Sequence, residues 1–249
     1  YGNLEIIVGI DDSRQLDGYK AGETASLLAR AIEDRGWGKS KIPSRHRLYP
    51  NPVIGYKKHN TARSFSADID EQYLNPFISY ACTMIKSNVA SGCNAGLAVV
   101  VPERMVNHDD LISYAYRVKE EQVSKEECMQ LAQCPGIYLF ELSGDGRGVI
   151  GALAAAGLRL TGNDGQFRGK LKLGHEDYYV ATVKEIIDKT YVQQVKSMDF
   201  VRLEDDETVR MGEKVKVVLL DNLYTLMVFP TDLESPKWQT STTHMLRMF

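Results

Sequence analysis

Gly144-Asp-Gly-Arg-Gly-Val-Ile-Gly-Ala-Leu-Ala-Ala-Ala-Gly157 is the stretch that decides the fold. It follows an apolar run at 137–142 that is typical of a buried strand, and its second half predicts a helix over 149–156. Glycines between a strand and a helix let backbone N–H groups approach an anion, and the helix dipole adds positive potential there. A tight turn beneath a closely packed helix explains the same residues, so a phosphate site and a packing role both remain open.

Within this stretch Gly146, Gly148 and Gly151 fit the pattern G-x-G-x-x-G, with Arg147 between the first two. The pattern is short and common, so it identifies no fold alone. A dinucleotide-binding fold also needs a following strand that ends in an acidic residue, whereas residues 158–167 lead into a glycine-containing loop. The order of elements therefore argues against a Rossmann fold.

The remaining pattern predicts an α/β protein with a change of character near residue 175. Ser124 with Glu127 forms a capping box at the start of one helix. The last third is rich in short β-like runs, which predicts a small β-rich C-terminal part. Predicted strands cover 4–10, 64–70, 97–101, 137–142, 200–203, 215–220 and 224–229, and predicted helices cover 21–35, 71–89, 109–119, 124–134 and 149–156.

Composition restricts the class of protein. The 249 residues are 43% hydrophobic and 25% charged, which is ordinary for a globular protein. No apolar run is long enough to span a bilayer, and no signal peptide is visible, so we expect a cytoplasmic protein without a membrane partner. The four cysteines form no C-x-x-C pair, which argues for reduced thiols and against a zinc ribbon.

The formal net charge of −3 argues against a protein that binds nucleic acid over its whole surface. Locally, residues 39–63 contain no Asp or Glu. Their basic residues surround the stiff segment Leu48-Tyr-Pro-Asn-Pro-Val-Ile-Gly-Tyr56, which suits a nucleotide or phosphate ligand better than a plain solvated face. The basic residues are Lys39, Lys41, Arg45, Arg47, Lys57, Lys58 and Arg63.

Adjacent carboxylates follow the first predicted strand, at Asp11 and Asp12. Ligands of open α/β sheets gather at the carboxyl ends of strands. Mg²⁺ is usually held by one or two carboxylates together with substrate phosphates. The pair therefore favours a magnesium site, although Asp is also common in turns and helix caps.

The first predicted helix opens with Gly22-Glu-Thr-Ala-Ser26. Its hydroxyl groups, on Thr24 and Ser26, are placed to reach a phosphate at the helix N-terminus or simply to cap the helix. Together with the acidic pair, the basic aromatic segment and the glycine turn, they indicate chemistry on ATP·Mg²⁺. The Walker A lysine pattern, the kinase sequence sets and G-x-S-x-G are absent from the sequence.

Five segments in this order resemble the archaeal tRNA agmatidine synthetase family, over about residues 4–175. The glycine-rich stretch is the most specific of them. The segments are Val8-Gly-Ile-Asp-Asp-Ser13, the helix start at Gly22, Arg47-Leu-Tyr-Pro-Asn51 with Tyr56-Lys57, Asn94-Ala-Gly-Leu-Ala-Val-Val-Val101, and residues 146–157.

The resemblance implies a kinase-like α/β core (an α+β arrangement) beside a ferredoxin-like part at about 68–135. It implies that the family activates a cytosine carbonyl by ATP-dependent phosphorylation, for displacement by the amine of agmatine. By this analogy Asp11 and Asp12 take Mg²⁺ and act in catalysis with Thr24 and Ser26. The residues that contact ATP are then Gly22, Lys57, Lys58, Gly146, Arg147, Gly148 and Gly151.

The sequence departs from the family at a threonine that the family phosphorylates, where Ala25 stands with Thr24 and Ser26 beside it. The family's zinc ribbon cysteines are also missing. We therefore expect an ATP- and Mg²⁺-dependent enzyme with a substrate smaller than tRNA. The alternatives are a tRNA-modifying enzyme that acts with a partner and a non-catalytic nucleotide-binding or regulatory protein.

Overall fold

The computed structural model describes residues 2–12, 22–50, 60–89, 92–167, 171, 173 and 180–249. It divides into two compact units, Tyr1–Thr161 and Gly162–Phe249. The division lies before residue 175, where the sequence predicts the change to a β-rich part. The ferredoxin-like assignment of residues 68–135 stays a prediction.

The first unit is built on a sheet in the order β6-β5-β1-β4-β3, and β2 pairs with the other end of β4. β1 is central, as predicted, but all the described pairs in this sheet are antiparallel. The rule that ligands bind at the carboxyl ends of parallel strands therefore does not apply to this sheet. The strands are β1 (Asn3–Asp11), β2 (Gly38–Ser40), β3 (Ser44–Leu48), β4 (Asn60–Asp70), β5 (Gly96–Val100) and β6 (Ile137–Glu141).

Helices cover both faces of this sheet and give a three-layer α/β/α unit, which confirms the predicted fold class. α1 and α2 bury one face, which carries Val8, Phe65 and Val99. α3, α4 and α5 bury the other, which carries Ile7 and Val100. The helices are α1 (Glu23–Asp34), α2 (Leu74–Asn88), α3 (His108–Glu120), α4 (Lys125–Leu131) and α5 (Gly148–Thr161).

The predicted cap of α4 is confirmed, whereas the predicted start of α2 is not. The capping residue of α4 is Ser124, whose Oγ accepts the N–H of Glu127 at 3.2 Å. Residues 71–73, predicted as the start of α2, form a separate 3₁₀ turn. None of the described helices combines the length and apolarity that a membrane span requires.

α5 packs on the sheet at backbone contact distance. A Cβ added to Gly9 would overlap the carbonyl oxygen of Ala152. A Cβ on Gly96 would lie 2.6 Å from the carbonyl oxygen of Gly148, and one on Gly148 would lie 2.6 Å from that of Asn94. Glycines on both surfaces, not only in the turn before α5, therefore set the depth at which this helix lies.

A buried polar cluster ties the far end of α5 to β3 and β4. Arg159 Nη1 donates to Ser44 Oγ at 2.7 Å and to the carbonyl oxygen of Ile42 at 3.0 Å. The ring nitrogen Nε2 of His46 lies 2.7 Å from Ser64 Oγ. These side chains can be buried beneath an otherwise apolar helix because neighbouring groups provide their hydrogen-bond partners.

The second unit is β-rich, as predicted, and its strands pair around β12. β12 is antiparallel to β11 and β13 and parallel to β9. The predicted strand at 200–203 is reduced to an isolated antiparallel bridge between Arg202 and Lys196, and Phe200 lies in a turn with φ 64°. The elements are β7 (Gln166–Phe167), β8 (Val180–Thr182), α6 (Val183–Lys189), β9 (Gln194–Ser197), β10 (Thr208–Arg210), β11 (Val217–Leu220), β12 (Leu223–Pro230) and β13 (Trp238–Thr240).

The contact between β1 and α5 predicts a strong effect of Gly9→Ala. The new methyl group meets a backbone carbonyl, which cannot rotate away, so we expect a loss of about 3 kcal/mol or more of unfolding free energy. Gly2→Ala is the control, since a Cβ at Gly2 meets nothing within 4 Å. Urea unfolding of both variants measures the difference, and similar midpoints would contradict the close packing.

Candidate functional site

Charged side chains and two helix starts meet at the carboxyl end of β1. In the sheet register Ile10 lies opposite Arg63 on β4, and Asp11 lies opposite Gly96 on β5. The start of α1 approaches Arg63 from one face, and the start of α5 approaches Asp11 from the other. The end of the central strand is therefore where the candidate site is assembled.

Asp11 lies on the face of the sheet that α5 covers. A Cβ added to Gly151 would overlap Asp11 Oδ2, so this glycine leaves room for the carboxylate against the first turns of α5. The positive end of the helix dipole favours a negative charge at this position. Gly151 therefore has a visible role, which is to admit Asp11.

Asp12 follows Asp11 and is, like it, half-buried. Within the described ranges, no group of three or more His, Cys, Asp or Glu side chains is placed to hold a metal ion. The two carboxylates fit a Mg²⁺ ion that completes its shell with phosphate oxygens and water, which is the usual arrangement for this ion. Magnesium binding by Asp11 and Asp12 stays a prediction.

The glycine-rich turn before α5 is held by protein groups. The N–H of Asp145 donates to Asn94 Oδ1 at 2.9 Å, and the N–H of Arg147 donates to Asp145 Oδ1 at 3.0 Å. The N–H of Arg147, one of the residues predicted to contact ATP, thus already has an acceptor. The Arg147 side chain is exposed and pairs with Asp145 at 3.1 Å.

The space beside Gly146 is also filled by protein. A Cβ on Gly146 would lie 2.5 Å from Glu141 Oε2 and 2.6 Å from Lys125 Nζ. These two side chains form an ion pair at 2.6 Å, and the lysine also donates to the carbonyl of Asp145 at 3.1 Å. The geometry gives Gly146 and Gly148 a packing role, and nucleotide contact by this turn stays a prediction.

The start of α1 is capped by a glycine. Gly22 is the N-cap with φ 84° and offers no side-chain acceptor. Ser26 Oγ donates to the carbonyl oxygen of Gly22 at 3.5 Å, and Thr24 is buried at 1% exposure. Ala25 packs in the core, so a side chain at this position faces Leu28 and its neighbours. The catalytic roles of Thr24 and Ser26 stay predictions.

The sequence alone does not show where several of the residues considered for this site lie. Lys57 and Lys58 lie outside the described residues. The sequence does not distinguish Arg63 from the other basic residues of 39–63, but in the structure its guanidinium lies against the start of α1. Asn94 belongs to a segment that carries the family resemblance, and its side chain holds the turn before α5.

Comparisons with known proteins bear on the fold. No protein-family model matches the chain, and none of the curated proteins does. A solved structure of TiaS with tRNA, AMPCPP and agmatine matches 71% of this chain at 26% identity and a TM-score of 0.50. The fold is similar to that of TiaS, a tRNA agmatidine synthetase.

Two further structures agree with this similarity. TiaS with tRNA and ATP, and a tRNA fluorescent labeling enzyme, each match 72% of this chain at 24% identity and a TM-score of 0.51. The chain spans 39% of the length of these two proteins. The resemblance predicted from the sequence is thus confirmed at the level of the fold.

The contact between Asp11 and Gly151 predicts a local effect of Gly151→Ala. The methyl group displaces the carboxylate, so we expect at least a tenfold loss of Mg²⁺·ATP affinity, about 1.4 kcal/mol. Gly157→Ala is a matched control, because its Cβ would lie 2.8 Å from Ala115 Cβ on α3, far along the same helix. Titration calorimetry of both variants measures the effect, and equal losses of affinity would argue against a role for Asp11.

Proposed function

We propose that this protein is an ATP- and Mg²⁺-dependent enzyme that activates a carbonyl or amide oxygen by phosphorylation, for attack by an amine. The observation that carries the proposal is the convergence at the end of β1. There the Asp11 carboxylate lies at the first turns of α5, and the Arg63 guanidinium lies against the start of α1. Carboxylates for a cation beside donors for an anion suit a bound metal–phosphate group.

The structural neighbours support the ATP-dependent part. Two of the TiaS structures contain ATP or AMPCPP, and one also contains agmatine, which is an amine. We infer the same chemical class for the present chain, which is an acceptor oxygen activated by ATP and an attacking amine.

Each side chain has a defined task in the proposed reaction. Mg²⁺·ATP supplies an electrophilic phosphoryl group when it is bound. Asp11 and Asp12 hold the cation, and Arg63 with the first N–H groups of α1 offsets phosphate charge. The substrate oxygen attacks the γ-phosphorus and ADP leaves. The amine then attacks the adjacent carbon and gives up a proton to solvent, and the C–O bond breaks so that the oxygen leaves as part of inorganic phosphate.

The net charge of −3 favours a substrate smaller than tRNA. The alternative of tRNA as substrate, with a partner that helps to hold it, is supported by the neighbours that are complexed with tRNA. A non-catalytic nucleotide-binding protein is the second alternative, supported by a buried alanine, Ala25, at the position of the family's threonine. Turnover of ATP separates the enzymes from the binding protein.

The placement of Asp11 predicts that Asp11→Asn weakens Mg²⁺-dependent ATP binding and turnover by at least tenfold, about 1.4 kcal/mol. Stability should fall by only about 0.3 to 1 kcal/mol, the value of a charge at a helix N-terminus. Chromatographic assay of ATP consumption and thermal unfolding measure the two effects. Asp34→Asn, at the exposed end of α1, is the control. Unchanged ATP turnover with a large loss of stability would make Asp11 a purely structural residue.

The charge predicts weak binding of tRNA by the isolated chain, with a Kd of about 10⁻⁴ to 10⁻⁶ M at physiological salt. This is the range of non-specific contact, because few phosphates are neutralised. Filter binding over a salt series measures it. Submicromolar affinity for one tRNA species, lost in Lys57→Ala with Lys58→Ala, would replace the small substrate by tRNA.

A further inference from the structure

Three arginines lie on the same face of the first unit's sheet, although the sequence separates them. Arg45 on β3 is the direct cross-strand partner of Arg63 on β4, and Arg47 lies two residues further along β3. Paired positions and alternate positions point to one face of a sheet. Phe65, two residues from Arg63, is buried in the core beneath α1 and α2, which identifies that face.

This arrangement is unfavourable without a counter-charge. Burial and the positive charge of Arg47 lower the pKa of Arg45. Within the described ranges, Arg45 and Arg47 take part in none of the ion pairs. In the same part of the chain the Nε of Arg47 is buried and has no hydrogen-bond acceptor. Because buried donors are normally satisfied, the Nε of Arg47 is placed for an acceptor that the described protein groups do not supply.

Gly22 brings Arg63 to the start of α1. A Cβ at this glycine would overlap the Nε and Cζ atoms of the Arg63 guanidinium, and its φ of 84° also favours glycine. The guanidinium therefore lies beside the first N–H groups of the helix, whose dipole is positive at this end. The Arg63 guanidinium and the N-terminus of α1 therefore both place positive potential in the same region.

We propose that Arg45, Arg47 and Arg63 bind a phosphate group at the start of α1. The planar guanidinium matches a phosphate bidentately, and three of them suit a multiply charged group better than a carboxylate. The inference rests on the proposed function for the source of the phosphate, which is either ATP itself or a phosphorylated second substrate. The residues that would bind it are the same in both cases.

Titration calorimetry of the full chain with inorganic pyrophosphate tests the site. Arg45→Gln and Arg63→Gln should each weaken pyrophosphate binding by about tenfold or more, the loss of a charge-assisted hydrogen bond. Arg30→Gln removes the same charge from the exposed surface of α1 and should leave binding within about twofold of wild type, since long-range steering affects all three variants equally. Wild-type protein that does not bind pyrophosphate at millimolar concentration, or equal binding in all variants, would overturn the proposal.

Thermal unfolding without ligand separates a binding role from a structural one. Without ligand, the melting temperature of Arg45→Gln should equal or exceed that of wild type, because the substitution relieves repulsion between the arginines. Pyrophosphate should raise the melting temperature of wild type more than that of Arg45→Gln. A lower melting temperature with unchanged pyrophosphate affinity would overturn the proposal. If Arg45→Gln fails to fold, Arg45→Lys tests the binding role alone: it keeps the charge and loses the fork, so pyrophosphate affinity should fall while the melting temperature stays near that of wild type.

Competition with ATP identifies the source of the phosphate. If the site holds a phosphate of ATP, pyrophosphate competes with ATP and Arg63→Gln weakens both. If it holds a second substrate, pyrophosphate and ATP bind together and Arg63→Gln leaves ATP affinity unchanged, which would also remove Arg63 from the ATP site of the proposed function. Absence of ATP binding with intact, arginine-dependent pyrophosphate binding would overturn the proposed function and preserve the phosphate site.

Discussion

Backbone contact between α5 and the sheet is the constraint on which the first unit depends. Three glycines, Gly9, Gly96 and Gly148, remove the side chains that would otherwise separate the helix from β1 and β5. The short side chains of α5 then fill the remaining space, which explains why a helix of mostly Ala, Gly and Leu is buried on almost every side. The same approach places Gly151 beside Asp11, so the packing of the core and the geometry of the candidate site have one cause.

Successive side chains of a strand point to opposite faces of the sheet, and at the end of β1 this places opposite charges on opposite faces. Asp11 belongs to the face covered by α5, whereas Arg63 lies beside Ile10 and reaches the start of α1 on the other face. Two helix N-termini therefore meet the strand end from opposite sides, one beside a carboxylate and one beside a guanidinium. A ligand that joins a cation to an anion, as a metal-bound phosphate does, matches this division of charge.

The sequence predicts most of the apolar elements of the first unit, because their periodicity matches their burial. It does not predict β3, since the buried positions of that strand include Ser44 and His46, whose partners lie on β4 and α5. Similarly, the basic run at 39–63 is visible in the sequence, but the pairing of Arg45 with Arg63 needs the strand register. The glycine pattern fits a phosphate site and a packing turn equally well, and only the acceptors of Asp145 and Arg147 show that protein groups hold the turn.

The position of α5 at the end of the first unit has a consequence for translation. The strands β1 to β6 leave the ribosome before the 14 residues of α5, so one face of the nascent sheet lacks its main cover until residue 161 has emerged. At about 5 to 20 residues per second this interval lasts on the order of a second. During it the sheet face and the apolar helix segment are both open to chaperones, and a chain that stalls before Gly148 keeps that face exposed.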